Sequence, residues 1–181
     1  RLACVGETNY ERAVARYRNV NGKPPLIAAL EAKDEESAMA LMDGGDDPNV
    51  DRCGNNALHS AAEEGCRQPL LNRILGMIHD VNAGRYPALM LAVMNNHLDV
   101  VISLMNHPGI DLNVRGSYNS GFTALHYAAS GNHPAILAQL LGDDRIDCSL
   151  KSNEGITSLE LAIALNHQEC VKLLREHGSG M

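Results

Sequence analysis

One short phrase returns five times along this chain, and its spacing limits the folds open to it. The copies are Pro24-Pro-Leu-Ile-Ala-Ala29, Asn56-Ala-Leu-His-Ser-Ala61, Pro87-Ala-Leu-Met-Leu-Ala92, Thr123-Ala-Leu-His-Tyr-Ala128 and Thr157-Ser-Leu-Glu-Leu-Ala162. Their shared leucines, Leu26, Leu58, Leu89, Leu125 and Leu159, stand 32, 31, 36 and 34 residues apart. A period in the low thirties marks a solenoid, in which each repeat buries its apolar face only against its neighbours. The expected fold is an all-α repeat solenoid. Such an array favours an open binding surface over an enclosed active site.

The fourth copy shows the plan of one repeat. Thr123 can cap a short helix over 124–130, accepting from the free amides of the first turn. Gly131 and Asn132 can take the left-handed conformation that ends it. Pro134 then opens a second helix, where its missing N–H costs nothing. Ile136, Leu137, Leu140 and Leu141 form one apolar stripe, and Gly142-Asp143 stops the helix. Matching stripes are Leu70, Leu71, Ile74 and Leu75 in the second repeat, Val100, Val101, Leu104 and Met105 in the third, and Val171, Leu173 and Leu174 in the fifth. In the first repeat the second helix is expected over about 35–42. Paired alanines at Ala61-Ala62 and Ala128-Ala129 leave room for close helix approach.

Composition removes several classes of function. Aromatic residues are only 3% of the chain, so the core must rest on Leu, Ala, Ile, Val and Met. The net charge of −7 argues against nucleic acid as partner, because phosphate binding requires an excess of Lys and Arg. The longest apolar run, 86–94, is too short to span a bilayer. Because the chain starts at Arg1, it is expected to be a fragment, and a missing amino-terminal signal says little about its parent. The five cysteines are scattered with no C-x-x-C pair, which points to reduced thiols and a cytoplasmic or nuclear setting.

These residues resemble the ankyrin repeat. The family pattern of Leu-His, Ala-Ala, a turn histidine, Leu-Leu and a loop asparagine is met by Leu58-His59 and Leu125-His126, by His97, His133 and His167, and by Asn49, Asn82 and Asn113. Ser149 stands in for the asparagine once. The resemblance divides one repeat domain into a cap or degenerate repeat at 1–18 and five repeats at 19–50, 51–81, 82–113, 114–150 and 151–181. Ile27, Met90 and Glu160 replace the family histidine, and the loop from Asn106 to Gly121 is longer than usual. A mobile tip is expected for that loop.

The resemblance implies helix-turn-helix units joined by projecting β-hairpins, with partners bound on a concave face of hairpin tips and first helices. Carried over position by position, the partner-binding residues are Arg52, Asn55, Glu63, Glu64, Tyr86, Met94, Asn95, Tyr118, Phe122 and Ile156, with Lys23, Glu31, Ser130 and Leu165 at equivalent places. Tyr86 and Phe122 could instead brace adjacent hairpins, and Tyr127 reads as core. Asn82 and Asn113 follow Asp-x-Asn patterns similar to asparagine hydroxylation sites in the family. The expected partner is a protein or peptide, of basic character if the loop aspartates cluster, with no nucleic acid and no membrane insertion. The chain itself is expected to be monomeric.

No chemistry-bearing motif competes with this reading. The chain has no G-x-S-x-G elbow, no phosphate-binding G-x-x-x-x-G-K-[ST] and no H-E-x-x-H. The expectation is no enzyme within this stretch, no catalytic residue, no metal and no cofactor. The alternative is a targeting or autoinhibitory domain of a larger enzyme or microbial effector.

Overall fold

The computed structural model describes residues 8–18, 22–50, 55–116 and 120–178. Arg52, Tyr118 and the tip of the long loop lie outside the described residues. Among the described residues the chain forms eleven helices and no strand. The residues group into two compact parts, Arg1–His79 and Asp80–Met181.

The amino-terminal part holds α1 (Asn9–Tyr17), α2 (Pro25–Glu31), α3 (Glu35–Asp43), α4 (Ala57–Glu64) and α5 (Gln68–Leu75). Each start is chemically marked. Thr8 and Glu11 cap α1 reciprocally, and Asn56 and His59 do the same for α4. Proline sits in the first turn of α2 and of α5. Helix α1 packs on α2 and α3, and α2 packs on α4. Leu26, Leu41, Leu58, Leu70, Leu71 and Ile74 are fully buried between them. Each such side chain contributes about 1.5–3 kcal/mol of hydrophobic stabilisation.

Asp34 ties this part together. Its carboxylate caps α3 by accepting from the Ser37 amide and hydroxyl, and it also accepts from Arg16 Nη1 at 2.6 Å and Tyr17 Oη at 2.9 Å. Partial burial raises its pKa, but the donors outweigh burial and bring it down to about 2.

The carboxy-terminal part holds α6 (Ala88–Met94), α7 (Leu98–Met105), α8 (Ala124–Ser130), α9 (Pro134–Leu141), α10 (Ser158–Ala164) and α11 (Gln168–Gly178). The first helices α6, α8 and α10 pack in one row and the second helices α7, α9 and α11 in another. Ala128 and Ala129 are fully buried within the first row, as their small size anticipates. The helices of the fourth repeat match the expected 124–130 and 134–141.

Two local expectations are corrected. The left-handed residue of the turn is Asn132 (φ 54°), with Asn96 and Asn166 equivalent, while Gly131 is right-handed (φ −79°). Gly131 is needed for space, because a Cβ there would lie 2.4 Å from His133 Nε2. The connecting loops also lack the strand ladders of regular β-hairpins among the described residues. Within the carboxy-terminal part they are tied by the isolated bridge of Lys151 with Thr157 and by single bonds such as Asn153 N to Ser120 O (2.8 Å).

The loop asparagines join successive loops. Asn82 Nδ2 donates to Gly109 O, and its Oδ1 accepts from the Asp111 amide. Asn113 repeats this with Arg145 O and the Asp147 amide, and Asn49 with Met77 O and the His79 amide. Each bidentate side chain satisfies backbone groups that no helix or strand would satisfy.

Candidate protein-interaction face

The family position three residues before each shared leucine carries Tyr86, Phe122 and Ile156 in the carboxy-terminal part, and all three are half-buried. Tyr127, expected in the core, is also only half-buried. Its ring lies edge-on to Tyr86 (centroids 6.4 Å apart) and to Phe122 (5.4 Å). Phe122 stacks on His126 at 5.2 Å. These side chains therefore form one aromatic cluster across two loops and α8. Bracing between loops is thus real, yet part of each ring stays open to solvent.

His126 anchors the cluster from below. Its Nδ1 accepts from the Thr123 amide, completing the cap of α8, and its Nε2–H donates to Ile156 O at 3.0 Å in the following repeat. Burial lowers its pKa, the Ile156 carbonyl opposes that, and the nearby Arg115 charge lowers it further. Glu160, at the same place in the fifth repeat, also caps its helix by accepting from Thr157, but a carboxylate has no N–H to donate outward. Met90, in the third repeat, is fully buried and its sulfur faces Gly116.

At the ends of the first helices, Met94 and Leu165 are 44% and 47% exposed, with Asn95 exposed and Ser130 half-exposed. His133 and His167 bond the Met94 and Ala129 carbonyls, which fixes these helix ends. The carboxy-terminal part thus exposes apolar side chains at the aromatic cluster, Met94 and Leu165, interspersed with the polar Asn95 and Ser130.

The equivalent positions of the amino-terminal part are polar. Lys23 pairs with Glu31 and Lys33 with Glu64, while Asn55 and Glu63 are exposed. The loop aspartates are largely engaged in their own turns. Asp47, Asp80, Asp111 and Asp147 each accept the amide two residues on, and Asp143 is chelated by Arg145. The Arg145 guanidinium and amide hold the Asp143 pKa down to about 2. Among the described residues no group of three or more His, Cys, Asp or Glu side chains is placed to hold a metal ion. No helix there is long and apolar enough to cross a membrane.

Sequence reasoning missed Tyr127 as a surface residue. The signal was present: where the other repeats place Ala28, Ser60, Leu91 and Leu161, only this one places a tyrosine, whose hydroxyl resists full burial.

Comparison with known proteins gives a consistent picture. A family model described as ankyrin repeats matches in three overlapping stretches, residues 26–116, 67–152 and 89–181. The chain is 36% identical over 120 residues to the SMC5-SMC6 complex localization factor protein 1 of Bos taurus, covering 66% of this chain and 11% of that protein. It is 28% identical over 185 residues to the nuclear factor NF-kappa-B p105 subunit of Gallus gallus, covering 98% of this chain and 18% of that one. It is 32% identical over 151 residues to the B-cell lymphoma 3 protein homolog of Mus musculus, covering 78% and 33%. The chain thus spans a third or less of the length of these curated relatives.

Proposed function

Because the chain belongs to the ankyrin repeat family, we propose that it is a non-catalytic protein-interaction module that holds a partner protein or peptide on the face of its hairpin loops and first helices. One observation carries this reading. The core is built almost without aromatic residues, yet Tyr86, Phe122 and Tyr127 cluster half-exposed, and Met94 and Leu165 at the ends of first helices are exposed as well. Partly exposed aromatic and Met side chains are enriched at interfaces and dominate their energetics. Ile156 and Asn95 extend the same face.

In the amino-terminal part Asn55, Glu63 and Glu64 supply a polar contact region. Glu64 already pairs with Lys33, so the proposed attraction of this region for basic partner segments is modest. The free thiols of Cys66, Cys148 and Cys170 suit a reducing compartment, and we place the protein in the cytoplasm or nucleus, as a monomer. The much greater length of the relatives supports a second reading, in which the module is the targeting part of a larger protein.

The test begins with partner identification by affinity capture, followed by titration. The double variant Tyr86→Ala, Phe122→Ala should weaken partner binding by at least about 1–2 kcal/mol while circular dichroism reports a folded chain. Unchanged affinity in a folded double variant removes this face from the account.

A further inference from the structure

The aromatic face carries an unusual charge distribution for so acidic a chain. From Val81 to Leu98 and from Leu112 to Gly142 there is no Asp or Glu, although the whole chain carries 22. Within those two stretches the only Lys or Arg residues are Arg85 and Arg115, one on each loop that bears the cluster. Both are exposed. Arg85 directly precedes Tyr86. Arg115 lies close enough to His126, beneath the Phe122 ring, for its charge to act on that imidazole. Asp80 and Asp111, which precede the two stretches, are exposed, and each has a carboxylate oxygen engaged by its own turn: Asp80 accepts from the Asn82 amide and Asp111 from the Asn113 amide. Further along, Lys151 stands with Glu154 on the next loop, followed by Glu160 in the first turn of α10, and adds no net positive charge.

Resting on the interaction-face reading, we infer that the face formed by Tyr86, Phe122 and Tyr127 with Arg85 and Arg115 takes an acidic, extended protein segment. In it a large apolar side chain seats against the rings and neighbouring carboxylates meet the two guanidinium groups. Charge complementarity selects this occupant. A basic segment would bring its cations against two arginines with no carboxylate in either stretch to receive them, and like-charge juxtaposition is a strong discriminator between partners. Arginine favours carboxylates through its planar fork and also tolerates stacking beside aromatic rings.

A random 12-residue peptide library displayed on phage, selected on the full chain, tests this directly. The enriched sequences should be net acidic with an aromatic or large aliphatic residue. A fluorescent synthetic copy of the consensus should lose about five- to tenfold in affinity on Arg115→Glu and weaken as salt rises. Arg115 is exposed, so this variant keeps its fold, which melting curves verify. Enrichment of basic or neutral peptides, affinity unchanged by Arg115→Glu, or no enrichment at all overturns the inference. So does tighter binding of a 12-nucleotide single strand than of the consensus peptide. Basic or neutral peptides that nevertheless lose binding on Phe122→Ala would leave the interaction face standing while removing its acidic partner.

Discussion

Replacing His126 tests how the candidate face is held in place. The side chain is 1% exposed, closes the amino terminus of α8 through Thr123 and donates to Ile156 O in the next repeat. Loss of a helix cap costs about 0.5–2 kcal/mol. Leaving the Ile156 carbonyl without its donor costs about 1–3 kcal/mol, toward the lower end because Ile156 is half-exposed and water can reach it. His126→Ala should therefore destabilise the chain by about 2–4 kcal/mol. His126→Gln can keep the cap, since glutamine serves in capping boxes, but is too short to span to Ile156; it should cost about 1–2 kcal/mol. The assay is urea unfolding at pH 7.5, read by circular dichroism. Equal losses for Ala and Gln would refute a separate inter-repeat bond, and an Ala loss under about 0.5 kcal/mol would refute both roles. A pH series adds an independent check. The folded pKa of His126 is depressed, chiefly by burial, so the unfolded chain takes up the proton first. Its contribution is fully present above the unfolded value near 6.5 and is lost as pH falls through the window below it. The Ala variant should lack that part of the acid sensitivity.

Further predictions concern the scaffold. Asp34→Ala removes the α3 cap and the shared acceptor of Arg16 and Tyr17 and should cost about 2–3 kcal/mol, read by thermal melting. Because the folded pKa of Asp34, about 2, lies below its ordinary 3.8, its stabilisation holds above pH 4 and fades between pH 4 and 2, and the variant should show a shallower acid transition there. Asn113→Ala breaks the bridge to Arg145 O and the Asp147 amide and should speed amide exchange at Asp147 while sparing α8. An asparaginyl hydroxylase should add oxygen to Asn82 and Asn113 faster in partly unfolded chain than in folded chain, by intact mass, since both side chains are engaged when folded.

The helical scaffold was legible because its determinants repeat. Five leucines in register, alanine pairs and first-turn prolines each bias the backbone locally, and the packed rows follow from them. What the sequence concealed depends on tertiary neighbours. Gly131 and Asn132 both read as left-handed turn residues, but only Asn132 takes that conformation, while Gly131 makes room for the His133 ring. The loop aspartates Asp47, Asp80 and Asp111 read as a solvated edge and are exposed, but that they also close their own turns through local amides shows only in the geometry. Tyr127 reads as core because its position is usually apolar, whereas its ring lies half-buried against Tyr86 and Phe122. Glu160 reads as a departure from the family, and its geometry shows the cap retained and the outward bridge given up.

The central claim is that partners meet the first-helix and loop face of the carboxy-terminal part and leave the row of second helices untouched. Photo-crosslinking from a benzophenone-bearing residue placed at exposed Met94, compared with one at exposed Gln139 on α9, asks this most directly. The account predicts covalent capture of a bound partner from position 94 and none from position 139. Capture from 139 with none from 94 would contradict it.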